Sequence, residues 1–195
     1  MNGNVSYKFA RIVTNLFVPP VNTFLVLTFL SAILFESKTD SLIALVISFL
    51  FSLAFPIIFF LWLRKKNLVA DVDATNKDER TIPYLFGFVL CIIALIISFY
   101  LWGFILFSKI WLIYSINTLL LIRINHFWKI SAHAIGVAAP IAILFFTVGD
   151  QALYLFLLLI LIAWTRLYLK KHTISQIIAG SVFGFLLTYL QLLIL

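Results

Sequence analysis

Apolar stretches separated by short polar ones set the pattern of this chain. A helix that crosses a bilayer needs roughly 20 apolar residues. On that measure the pattern predicts seven spanning segments, at about Leu16–Phe35, Leu42–Leu63, Pro83–Trp102, Ile105–Ile122, Ile130–Thr147, Ala152–Trp164 and Ile174–Leu195. Trp62, Trp102, Trp128 and Trp164 fall near segment ends, where amphipathic rings favour the membrane interface. Small residues recur in the fifth segment (Ser131, Ala132, Gly136, Ala138, Ala139) and in the seventh (Ala179, Gly180, Ser181, Gly184). Small side chains let membrane helices approach closely, so these two segments are expected to pack together. Pro19, Pro20 and Pro56 are expected to start or kink helices. The longest polar stretch, Arg64 to Arg80, reads as a loop or an interfacial helix. The fold expected is all-α: a polytopic membrane helical bundle of about six to seven transmembrane helices, forming a single integral membrane domain over residues 1–195.

Composition supports this picture. The chain has 195 residues, 64% hydrophobic and 11% charged, with a net charge of +7. Soluble domains carry about 25% charged residues. The basic residues sit in short loops, where they set topology and meet anionic headgroups, so the charge does not indicate a nucleic-acid partner. The single cysteine, Cys91, lies in an apolar run and cannot form an internal disulfide. The first apolar run follows Lys8 and Arg11 without a small-residue cleavage pattern, and is read as a retained anchor.

If the seven segments alternate sides, one face carries the N-terminus and the loops Arg64–Arg80, Arg123–Lys129 and Arg166–His172. That face then holds 12 of the 14 basic residues, all except Lys38 and Lys109. Setting Lys77, Arg80, Lys129 and Arg166 aside still leaves 8 against 2. The positive-inside rule places this face in the cytoplasm; the expected setting is a bacterial inner membrane.

Three polar clusters interrupt the apolar sequence, all on that face. They are Lys77-Asp78-Glu79-Arg80-Thr81-Ile82-Pro83, then Lys129-Ile130-Ser131-Ala132-His133, then Thr165-Arg166 with His172 and Gln176. Ionisable residues within a membrane protein are costly and point to function. Arg and Lys complement phosphate oxygens, and neutral His can act as nucleophile or exchange a proton near pH 7. Together they suit phosphoryl transfer, which needs positioning and charge stabilisation above all.

The clusters resemble the motifs of the type 2 phosphatidic acid phosphatase superfamily, which read K-x6-R-P, P-S-G-H and S-R-x5-H-x3-D. The third appears here as Thr165-Arg166-x5-His172-x3-Gln176, the second as Ile130-Ser131-Ala132-His133, and the first as Arg80-Thr81-Ile82-Pro83 with its proline two places late. Motif order and the two-helix gap between the second and third motifs also match, over roughly residues 71–190. The resemblance implies a membrane-embedded lipid phosphate phosphatase that forms a phosphohistidine intermediate. His172 would be the nucleophile, His133 the general acid, and Arg166 and Arg80 the phosphate clamps. Backbone amides near Ser131 and Ala132 would add donors at a helix start. The implied substrate is a lipid phosphomonoester or diphosphate of phosphatidate, phosphatidylglycerophosphate or isoprenoid diphosphate type. No cofactor or metal is implied, and the expected partners are the lipid substrate and the bilayer.

This sequence departs from the motifs at three places. Asp73 stands at the motif lysine, so Lys77 or Lys129 is the expected substitute cation. Ala132 replaces the motif glycine. Gln176 replaces the aspartate that orients the nucleophilic imidazole, a change that removes charge while keeping an acceptor. Asp71 or Asp73 could compensate. Gln176 is expected to accept from one nitrogen of His172, on one helix face if the last helix begins at His172. The competing readings are a catalytically degenerate relative that binds lipid or a partner, and a phosphotransferase using a lipid diphosphate. Asp71, Asp73, Asp78 and Glu79 also form one acidic cluster, whereas a membrane prenyltransferase binding Mg²⁺-diphosphate needs two.

Overall fold

A computed structural model describes residues 4–195. Its helices are α1 (Val5–Leu16), α2 (Pro19–Leu34), α3 (Lys38–Ser48), α4 (Phe55–Lys65), α5 (Thr81–Trp102), α6 (Leu106–Phe127), α7 (Ala132–Val148), α8 (Phe156–Tyr168), α9 (Ile174–Val182) and α10 (Thr188–Ile194). Short π-helical turns, Phe49–Ala54 and Phe183–Leu187, join α3 to α4 and α9 to α10. Among the described residues, five continuous helical stretches are long and apolar enough to cross a membrane, and six if α1 and α2, bent by 52°, count as one. The protein is therefore a multi-pass, all-helical membrane protein.

The longest stretch, Ala132–Tyr168, contains two of the expected segments. Gly149, at φ 74°, stops α7 in a conformation that side-chain-bearing residues rarely adopt. A 3₁₀ turn, Gly149–Leu155, reverses the chain, and α8 packs back along α7. At the other end of the chain, the first expected segment needs correction. It is preceded by a separate 12-residue helix, α1, and the new helix starts at Pro19. Proline is well placed at a first helical position because the amide it lacks has no helical partner there. The Arg64–Arg80 stretch is a loop closed by one 3₁₀ turn, Asp78–Arg80.

The chain divides into two compact units, one built from residues up to Asn22 with Lys129–Ile194, the other from Thr23–Trp128. In the first unit α7 is the central helix, with every residue from His133 to Ile143 buried. Its small residues accept α9 at backbone distance. A Cβ placed on Gly180 would lie 2.7 Å from the Ser131 carbonyl oxygen, and one on Gly184 would lie 2.9 Å from that of Ile135. The packing expected from the small residues is therefore present. Leu159 and Ile162 of α8, Val13 of α1 and Ile177 of α9 complete one apolar core with Ala134, Val137, Ala138 and Ile141.

In the second unit α5 and α6 pair as an antiparallel hairpin that turns at Gly103. Aromatic rings close that end: Phe35 lies 4.6 Å from Trp102 and 5.7 Å from Phe107. Trp102 Nε1 donates to Asp40 at 2.9 Å. The π turn Phe49–Ala54 precedes Pro56. Pro56 has no amide for the Ser52 carbonyl and its ring crowds that position, a conflict that a widened turn relieves. The loop after α4 is organised by Asp71, whose carboxylate accepts from Asp73 N–H, Thr75 N–H and the Thr75 hydroxyl.

The close approach of α7 and α9 leads to a prediction. Gly180→Ala should force the two backbones apart at a cost of about 1–3 kcal/mol, seen as a lower unfolding temperature in detergent. Gly87→Ala, at a helical site with nothing within 4 Å of an added Cβ, should leave that temperature unchanged or raise it.

Candidate functional site

The second and third polar clusters meet at one end of the first unit. Ser131 is the N-cap of α7, and its hydroxyl accepts from Ala134 N–H at 3.3 Å. Thr173 is the N-cap of α9 and forms a capping box with Gln176: the threonine oxygen accepts from Gln176 N–H, and the glutamine oxygen accepts from Thr173 N–H. The two helix starts are joined through the backbone, with Ser131 N–H donating to the Gln176 carbonyl at 3.2 Å. A side chain adds a second tie, as Lys129 Nζ donates to the Lys171 carbonyl at 3.0 Å. The chain leaves α8 by a tight turn in which Lys170 takes φ 53° and Lys171 N–H donates to the Arg166 carbonyl. This is the left-handed termination common at helix ends.

On this framework His133 is the second residue of α7 and His172 directly precedes the N-cap of α9. His133, His172 and Arg166 are 9%, 8% and 1% exposed. Arg166, in the last turn of α8, donates from Nη1 to the Thr14 hydroxyl at 3.0 Å. Two helix N-termini, each the positive end of its macrodipole, and the Lys129 ammonium are thus gathered with two imidazoles and a guanidinium in one unit. Such a set suits a phosphate or another compact anion.

The hydrogen bonds also fix the tautomer of His172. Thr173 N–H can only donate, so the Gln176 amide atom facing it is the oxygen. That same oxygen lies 3.0 Å from His172 Nδ1. Two acceptors cannot bond each other, so Nδ1 carries a proton and donates it to Gln176. The ring is thereby held with Nδ1 toward Gln176 and Nε2 on its opposite side. The geometry by which this happens differs from the expected one. α9 begins at Ile174 rather than at His172, so the contact comes from the capping box, not from residues four apart on a helix face.

The other expected residues have hydrogen-bond partners of their own. Lys77 and Arg80 belong to the second unit. There Lys77 Nζ donates to the His126 carbonyl, and the Lys77 carbonyl accepts from Asn125 Nδ2 at 2.8 Å. Arg80 is buried, with Nε donating to the Ala74 carbonyl at 2.7 Å. The Ser131 amide, a candidate anion donor, is bonded to Gln176, and the Ser131 hydroxyl caps α7. Asp71, a possible substitute for the missing carboxylate, organises its own loop. Among the described residues no group of three or more His, Cys, Asp and Glu gathers as metal ligands.

Sequence reasoning missed Thr14 altogether. Its only trace is a polar pair, Thr14-Asn15, in a stretch that is apolar on both sides. No protein-family profile, curated protein or solved structure matches the chain.

The shared Gln176 oxygen makes the helix start and the histidine testable together. Gln176→Leu should cost about 0.5–2 kcal/mol of stability through the lost cap and release the His172 ring. Gln176→Glu keeps the acceptor and adds a charge, which favours the imidazolium. The His172 ring titration, followed by NMR, should move to higher pH in Gln176→Glu.

Proposed function

We propose that this protein is a membrane-embedded phosphatase that hydrolyses a lipid phosphomonoester or diphosphate through His172. The reading is carried by the joining of the second and third clusters through Ser131 and Gln176, with Nδ1 of His172 held by the Gln176 oxygen. It is supported by the burial of a guanidinium and two imidazoles in a largely apolar unit, an arrangement that points to function.

In this mechanism Arg166 and Lys129 hold the nonbridging oxygens. His172 Nε2 attacks phosphorus and forms an N–P bond as the bond to the lipid oxygen breaks. His133, entering as imidazolium, donates a proton to that leaving oxygen. Water then attacks the phosphohistidine, His133 takes its proton, and inorganic phosphate leaves with His172 restored. The charges neutralise the transferring group without a metal in any step. The site is proposed to face the cytoplasm, the side to which the positive-inside rule assigns the basic loops.

A second reading draws on one observation. The capping box alone accounts for a glutamine at position 176, so a relative that binds lipid phosphate without cleaving it would need the same residue.

Phosphate release by the purified protein from a panel of lipid phosphates separates the two. Turnover should persist in EDTA, and His172→Ala should abolish it while the folded bundle remains. Full turnover in His172→Ala, or loss in EDTA restored by Mg²⁺, would rule out this mechanism. Binding without release by the wild type would favour the second reading. Orientation is tested independently: the thiol of Lys170→Cys should be labelled only from the cytoplasmic side, and labelling from outside would place the site on the outer leaflet.

A further inference from the structure

We infer that Thr14 is a positioning residue for Arg166, so that α1 belongs to the phosphate site; the inference rests on the reading of Arg166 as a phosphate clamp. Arg166 Nη1 and Thr14 Oγ1 are 3.0 Å apart across 152 residues of sequence, and each residue is only 1% exposed. The backbone of α8 sets where Arg166 begins, but four side-chain torsions separate that backbone from its charge. A guanidinium presents its donors in a rigid planar fork, so fixing one donor aims the others. A hydroxyl does this without adding a negative charge that would compete with phosphate.

Thr14 is itself firmly held. Its neighbour Val13 lies in the apolar core with Ala134, Ile162 and Ile177. Phe17 N–H donates to the Val13 carbonyl at 3.1 Å, and Asn22 Nδ2 closes the next turn onto the Phe17 carbonyl at 3.0 Å. Pro19 sits against α7 so tightly that a Cβ on Gly136 would come within 2.9 Å of it. The β-branched side chain adds stiffness at χ1. The hydroxyl is therefore a fixed reference point, as a preorganised site requires.

The test uses the full-length protein in lipid–detergent micelles, with a short-chain lipid phosphate as substrate and orthovanadate as the anion probe. Thr14→Val keeps the shape and removes the hydroxyl. A hydrogen bond to a charged group supports an expected fall in kcat/KM of about tenfold or more. The thermal stabilisation given by orthovanadate, measured against each variant's own unfolding temperature without ligand, should shrink in parallel. Thr14→Ser should recover most of both. Wild-type kcat/KM in Thr14→Val overturns the inference alone, as does a Thr14→Ser variant no better than Thr14→Val, which would show that packing matters and the hydroxyl does not. A wild-type protein that neither releases phosphate nor is stabilised by orthovanadate overturns the anion-site reading, and the role of Thr14 with it.

Discussion

Everything distinctive about the first unit depends on how closely α7 and α9 approach. Two helices in a bilayer gain little from hiding apolar surface, since lipid tails are apolar as well. They must instead fit each other at short range. Gly180 and Gly184 remove the side chains that would hold the backbones apart, and the Ser131–Gln176 backbone hydrogen bond becomes possible only at that distance. The two helix starts then coincide, and the polar residues beside them are brought to one place.

Polar groups in this setting serve structure and chemistry at once. Gln176 caps a helix with the same oxygen that orients an imidazole. Lys129 ties down the loop after α8 and brings its charge beside the second cluster. In water each of these contacts would contribute little beyond what solvent supplies. Within a bundle the alternative is an unsatisfied group, so a few well-made hydrogen bonds hold side chains that would otherwise swing freely.

Much of this was legible from the residues. Long apolar runs gave the helices, because only helices and closed barrels satisfy their own backbones in lipid. The small residues in two segments identified a pair that packs at backbone distance. Other features depended on contacts that no local pattern reveals. The last segment starts at Ile174 as its apolar run implies, but the His172–Gln176 contact comes from a capping box, Thr173 followed three residues later by Gln176, rather than from an interval of four on one helix face. The helix α1 and its Thr14 were passed over because 12 residues are too few to span a bilayer, and hydropathy alone cannot tell an anchor's flank from a packed helix.

The π turn at Phe183–Leu187 has a consequence for how this helix keeps its alignment. Gly180, Gly184, Thr188 and Leu192 are all buried, at intervals of four. In a regular α-helix each such step overshoots a full turn by about 40°, so the row would spiral away from its neighbour. A turn closed by i→i+5 bonds takes more residues per revolution and cancels part of that drift. It works as a phase correction, straightening a seam that regular geometry would twist. Deleting one residue between 183 and 187 would therefore do more than remove that residue's own contacts: it would rotate every later side chain away from the seam, from Thr188 onwards.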